Sequence, residues 1–257
     1  MPKFAANLSF MFNEVPFSDR FEAAAKAGFR AVEFLNPFEL PKDDLVARLK
    51  ANGLTPALFN MAHGDFSKGE RGMSAIPGRE AEFEKAVAAA LAYAEATGCK
   101  RLFAMAGLRH HGANRATYVR NLRTAAKMLA GSGIDVIIEP INTRDIPGYF
   151  LNTTGEARSI IHEVAEPNIG LQFDLYHRQI MEGDVAMAIA EFAPLARHYQ
   201  IASPPDRGEP DDGEMNYAYL FKLIDQTGFD GWVGCEYKPR GETVAGLKWV
   251  KALGVSL

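Results

Sequence analysis

Short apolar runs rich in β-branched and aromatic residues alternate along this chain with longer alanine-rich stretches at helical spacing, and the alternation repeats eight times. The runs are 4–12, 31–35, 55–61, 101–107, 135–142, 169–177, 197–202 and 231–239. The helical stretches are about 18–27, 41–52, 78–97, 113–130, 153–165, 183–193, 216–227 and 243–254. Strand, helix, strand in this rhythm is the signature of parallel strands joined by crossover helices. Eight such units in 257 residues predict an α/β fold, a (β/α)8 TIM barrel, as a single domain over 1–257. A doubly wound open sheet is the competitor, but the first βα turn has no G-x-G-x-x-G fingerprint. No Pro/Ser/Gly-rich linker divides the chain.

Local punctuation agrees with that reading. Ser18, Pro41 and Thr153 stand where helix starts take a cap or a first-turn proline. AGFR, NGLT, TGCK, SGID and TGFD each place a glycine after a helix and before a strand, where a left-handed residue ends the helix. Two βα connections are long, 62–77 and 203–215. In a barrel both lie on the C-terminal face, where active sites are built.

Composition excludes several classes. A net charge of -4 argues against a nucleic-acid footprint. Cys99 and Cys235 sit in apolar runs, with neither a disulfide framework nor zinc-ligand spacing. The N-terminal segment lacks a secretory pattern, and no apolar run reaches the ~18 residues of a membrane span. The cytoplasm is the expected location, with no membrane partner; assembly into a homo-oligomer stays open.

The segment GIDVIIEPIN puts Glu139 at the end of a strand that reads as buried on both faces, where a carboxylate is costly unless compensated. Asp174, Gln200 and Glu236 recur at the ends of the next three strands, at separations of 35, 26 and 36 residues. On a barrel these four converge at one mouth. Three carboxylates there would repel one another, and a divalent cation resolves the repulsion. An all-oxygen set of Glu139, Asp174, Gln200 and Glu236 suits a hard ion such as Mg²⁺ or Mn²⁺.

IIEPIN, LQFDLYHRQ, HYQIAS, GEMNYAYLFKLID and GWVGCEYKP, with GERGMSAIPGREAEF (69–83) and GCKRLFAMAG (98–107), resemble the hydroxypyruvate isomerase family of the xylose isomerase-like barrels. The resemblance runs from Phe4 to about Lys248. It implies that the four strand-end residues bind a divalent metal and that Glu139 and Glu236 flank the substrate as proton donor and acceptor. Related sugar epimerases have His where this chain has Gln200. The implied activity is isomerisation of a small keto acid, hydroxypyruvate to tartronate semialdehyde, through an enediolate; a 2-oxo-tetronate isomerase or a ketose epimerase is the alternative. Such chemistry needs a carboxylate base, an electrophile on the oxygens and a group that returns the proton.

His177, three residues past Asp174, can place its imidazole over a substrate oxygen, a role that the family pattern supports over a loop cap. His198 shares the face of Gln200, either orienting a ligand or sitting in the core. An acidic substrate needs a cation. Arg71 in the GERG loop is the first choice, with Lys238 and Arg207 as alternatives, and His63 and Asn60 are expected to line the pocket. The glycines at 64, 69 and 72 suggest a loop that swings over the substrate. The adjacent His110 and His111 read as loop. Of the strand aromatics Phe10, Phe12, Phe34, Phe103 and Tyr237, mostly core by type, only Tyr237 beside Glu236 is singled out for the pocket.

Overall fold

A computed structural model describes residues 1–61 and 63–257. Eight parallel strands form a closed barrel in sequence order: β1 Lys3–Asn7, β2 Ala31–Phe34, β3 Thr55–Asn60, β4 Arg101–Phe103, β5 Asp135–Ile138, β6 Ile169–Asp174, β7 Ala196–Ile201 and β8 Trp232–Cys235. Closure is made by β1 against β8, with Lys3 opposite Trp232 and Ala6 opposite Cys235. A barrel has no free edges, so every strand can be apolar on both sides. Val136, Ile137 and Ile138 accordingly have no exposed surface.

The surrounding helices are α1 Phe17–Lys26, α2 Lys42–Ala51, α3 Glu80–Thr97, α4 Arg115–Leu129, α5 Thr154–Val164, α6 Leu175–Met181, α7 Val185–Phe192, α8 Tyr217–Gln226, α9 Thr243–Gly246 and α10 Trp249–Ala252. Each long helix buries one stripe. On α4 the stripe is Tyr118, Leu122, Ala125, Ala126 and Leu129, which is helical spacing. A fully buried leucine such as Leu122 contributes about 1.5–3 kcal/mol. Gly98 ends α3 at φ 79°, and its N–H donates to Ala94 O.

The differences from the sequence expectation lie at element ends. The apolar runs overshoot the strands at the C-terminal side, by five residues in β1 and four in β4 and β5, because the chain leaves the sheet at the barrel mouth while staying buried or half-buried. Ser18 lies inside α1 rather than capping it; the helix starts behind Pro16, and Ser18 Oγ donates to Asp19. The last helical stretch is broken into α9 and α10. The helix α6 follows β6 without a loop, so His177 stands on its first turn. Thr153 does cap α5, accepting from the Glu156 N–H.

The two long connections differ from free loops. The 62–77 segment begins at Ala62, which lies outside the described residues; beyond it a 3-10 turn, Phe66–Lys68, is followed by a bridge between Gly72 and Ala106. Gly72 has φ 99°, and a Cβ there would collide with Met105 O. This glycine is therefore an anchor against the strand-four exit rather than a hinge. In the 203–215 segment the backbones of Ser203 and Gly208 bond to each other both ways, at 2.9 and 3.2 Å.

Candidate active site

Four buried side chains meet at the C-terminal mouth. Glu139 follows β5, Asp174 ends β6, His177 opens α6 and Glu236 follows β8; one ligand atom from each lies within 4.8 Å of the others. Asp174 Oδ1 accepts the Tyr176 and His177 backbone N–H groups at 2.7 and 3.4 Å, capping α6. Among the described residues its other oxygen, Oδ2, has no hydrogen-bond partner, and neither has Glu139 Oε1. Buried carboxylate oxygens without donors are costly. Burial, then Glu236 and Asp174, drive the Glu139 carboxyl well above the usual range. Burial pushes Asp174 up to about 6 and Glu236 up to about 8, in both cases against the pull of Arg207. A hard divalent cation fits these oxygens, since it supplies the charge that the orphaned atoms lack.

Arg207 reaches into the same cluster. Its Nη2 donates to Glu236 Oε2, and its Nη1 donates to Asp145 Oδ2 at 2.9 Å. The guanidinium is clamped between the rings of Phe10 and Tyr176, at 4.8 and 5.1 Å. Burial opposes its charge, but Glu236, Asp174, Asp145 and Glu139 outweigh that and hold its pKa above the ordinary value. The residue sits at φ 62°, a left-handed conformation that a non-glycine residue adopts at a cost. Arg71 also faces the cavity. It lies 4.7 Å over the Phe66 ring and donates to Glu70 O at 2.6 Å and Phe66 O at 3.4 Å, with no ion pair among the described residues.

The cavity above the cluster holds about 150 Å³ and is lined by Phe10, Asn60, Phe103, Met105, Ile141 and Ile146 besides the polar groups. A larger cavity of about 800 Å³ lies beside it, and Leu35 and Phe66 line both. His63 belongs to the larger one, with its ring 5.5 Å from Phe66, rather than to the cavity of the carboxylates. Lys238 is exposed and is not among the residues that line the cavity; its backbone N–H donates to Arg207 O at 2.7 Å. β8 ends at Cys235, so the two-residue alternation that would carry Lys238 to the side of Glu236 no longer holds there. Tyr237 is core, its hydroxyl accepting from Trp249 Nε1 at 3.1 Å. His110 and His111 form an exposed 3-10 turn.

Gln200 pairs with Asp174 in the β6–β7 register. Its Oε1 accepts from Gln172 Nε2 at 2.5 Å, and its Nε2 donates to Glu33 Oε1 at 2.8 Å. Glu33 escaped the sequence reading. It has no exposed surface, accepts from Asn7 Nδ2 at 2.9 Å and lies 2.6 Å from His198 Nε2. Asn7 Nδ2 also donates to Glu236 Oε1 at 3.2 Å, so this network joins Gln200 to Glu236. Room for the Glu33 carboxylate comes from Gly234, where a Cβ would collide with it. The signal was present: Glu33 interrupts an apolar strand just as Glu139 does.

Comparison with known proteins bears on this geometry. Residues 21–253 match the family model described as xylose isomerase-like TIM barrel. A 2-oxo-tetronate isomerase of Cupriavidus necator is 55% identical, covering 98% of each chain. A hydroxypyruvate isomerase of Escherichia coli is 46% identical over 97% of this chain and 98% of its own. A crystal structure of a protein from Brucella melitensis, named AP endonuclease, family 2, superposes with a TM-score of 0.95 at 51% identity, covering 98% of this chain and 99% of that one.

Proposed function

The chain belongs to the xylose isomerase-like TIM barrel family, and we propose that it is a metal-dependent isomerase of a small hydroxy-keto acid, with 2-oxo-tetronate as the leading substrate and hydroxypyruvate the second. The similarity to the 2-oxo-tetronate isomerase of C. necator, at 55% identity, favours that order. The observation that carries the reading is the meeting of Glu139 and Glu236, from β5 and β8, with Asp174 and His177 in one buried cluster.

Both substrates carry a ketone at C2 and a hydroxyl at C3. One glutamate removes the C3 proton as the electron pair moves toward the C2 oxygen; the other returns a proton to C2, and the oxygens exchange theirs, leaving the carbonyl at C3. Glu139, Asp174 and Glu236, with Gln200 beside Asp174, would hold a divalent cation such as Mg²⁺ or Mn²⁺. When bound, it supplies positive charge to the substrate oxygens. Among the described residues Arg71 is the cavity guanidinium without an ion pair and so the one to fork onto the substrate carboxylate, since Arg207 is committed to Glu236 and Asp145. Phe10, Phe66, Phe103 and Met105 exclude water from the enediolate.

The endonuclease name of the B. melitensis protein raises a nuclease reading. The net charge of -4 and the cavity of about 150 Å³ favour a small acid over a polynucleotide. The deciding experiment assays keto acids and ketoses with Mg²⁺, Mn²⁺ and EDTA in D2O. Turnover of 2-oxo-tetronate or hydroxypyruvate, with deuterium entering at C2 of the product, is expected. Turnover with full retention of the substrate hydrogen would remove the glutamate proton transfer, and inactivity on every keto acid would remove the substrate class.

A further inference from the structure

The hydrogen on the His177 imidazole can be placed from its neighbours. Asn142, just beyond β5, is fully buried, and its Oδ1 accepts the Asp145 backbone N–H at 2.7 Å. That bond orients the amide, because only the oxygen can accept. The amide nitrogen then faces the other way, 2.7 Å from His177 Nδ1. The Asn142 backbone N–H also points at Nδ1, at 3.4 Å. With two donors converging on it, Nδ1 accepts. A neutral imidazole carries its one hydrogen on the opposite nitrogen. Nε2–H therefore faces the cavity, 3.6 Å from Asp174 Oδ2 and 3.9 Å from Glu139 Oε1. Both distances are too long for a hydrogen bond, so among the described residues the donor stands unspent between the two carboxylates.

We propose that Asn142 is a positioning residue that locks His177 in the Nε2–H tautomer, and so holds it for the substrate-oxygen role that the family pattern implies, with no lone pair on Nε2 for the metal. The proposal rests on the isomerase reading for the identity of that oxygen. Distance alone would recommend His177 as a fourth ligand, since its ring nitrogen lies in the same cluster as the three carboxylates. Its surroundings are the reverse of those of a metal-bound histidine. A ligating imidazole donates its second N–H to a carboxylate or carbonyl, which leaves a lone pair for the ion. Here the second nitrogen meets donors. Because Nδ1 accepts, the ring cannot be the doubly protonated cation and is neutral. A neutral donor beside the C2 oxygen stabilises charge developing there without giving up a proton to the neighbouring carboxylates.

The test needs no substrate in its first arm. Long-range ¹H–¹⁵N correlation of the six histidines, with His177 assigned by loss of its signals in His177→Gln, reads the tautomer directly. Metal-free and Mg²⁺-loaded protein are both expected to show Nε2 protonated and Nδ1 bare. An Nδ1–H tautomer, or loss of the Nε2 hydrogen on adding Mg²⁺, would overturn the proposal whatever the substrate is found to be. In a second arm, Asn142→Leu is expected to show a mixture of tautomers. Its kcat at saturating Mg²⁺ should fall about tenfold, the worth of one hydrogen bond, with Mg²⁺ affinity by calorimetry unchanged. A loss of Mg²⁺ affinity in that folded variant would instead make His177 a ligand.

Discussion

A single carboxyl oxygen shows how stability and function oppose each other in this site. Glu139 Oε1 is buried without a partner among the described residues, and burial, Glu236 and Asp174 raise its pKa well above the usual range. A raised folded-state pKa favours the folded protein below the unfolded value and costs stability as pH rises above it. Replacing the group by an amide removes that cost along with the proton-transfer function. Glu139→Gln should therefore lower kcat by about 10³-fold, yet melt higher than the unsubstituted protein in EDTA at pH 8. The gap should close toward pH 5, and added Mg²⁺ should reverse the order. Melting curves at both pH values with a parallel rate assay check this; a variant that melts lower in EDTA at pH 8 would mean that the carboxylate is compensated by something else. Glu139 was legible in the sequence because a charge interrupts an apolar run. Glu33 carries the same signal, but Phe34 and Leu35 continue the apolar run past it, so in the sequence it reads as an interruption within a strand rather than as a strand end.

At the scale of elements, strand exits do the positioning. Asp174 ends β6 and caps α6 with one oxygen, so the other is aimed at the cluster by the geometry of the strand–helix junction. The segment 63–77, which brings Phe66 and Arg71 over the cavity, is tied down where Gly72 meets Met105 and Ala106. A methyl group there would strike a backbone carbonyl, in a conformation with φ 99°. Gly72→Ala should cost about 2 kcal/mol or more and raise KM for the keto acid more than it lowers kcat, because Arg71 is displaced with the segment. Denaturant unfolding with steady-state kinetics tests it, and unchanged stability and KM would show the anchor to be unimportant. The long helices, their glycine ends and the order of strands followed from period and punctuation; α6 did not, because its first residues continue the apolar run 169–177. The strand ends did not, since buried loop and buried strand share the same apolar composition.

For the whole molecule, the mouth of the barrel should be the point at which metal and pH act on stability. Burial lifts Asp174 to about 6 and Glu236 to about 8, so in metal-free protein their contribution is full below the unfolded values near 4 and is lost as pH rises through 6 and 8. A divalent cation reverses this, because it binds the ionised carboxylates of the folded state alone. At a hundredfold excess over Kd, Mg²⁺ or Mn²⁺ should add about 2.7 kcal/mol and raise Tm by roughly 5–10 °C at pH 8, with a smaller rise at pH 5. Full turnover after exhaustive chelation, with Tm unmoved by the ion, would refute the metal site. What the sequence by itself determined is the eightfold strand–helix rhythm and the presence of acidic groups at successive strand ends, because periodicity and spacing are properties of neighbours along the chain. Only the tertiary structure decided what those groups touch. Glu33 meets His198 and Gln200, 165 and 167 residues away, in space left by Gly234. Arg207, one of three cations the sequence offered, is committed to Glu236 and Asp145, while Lys238 turns to solvent. Those partners are far apart in sequence and are brought together by closure of β8 onto β1, which no local pattern encodes.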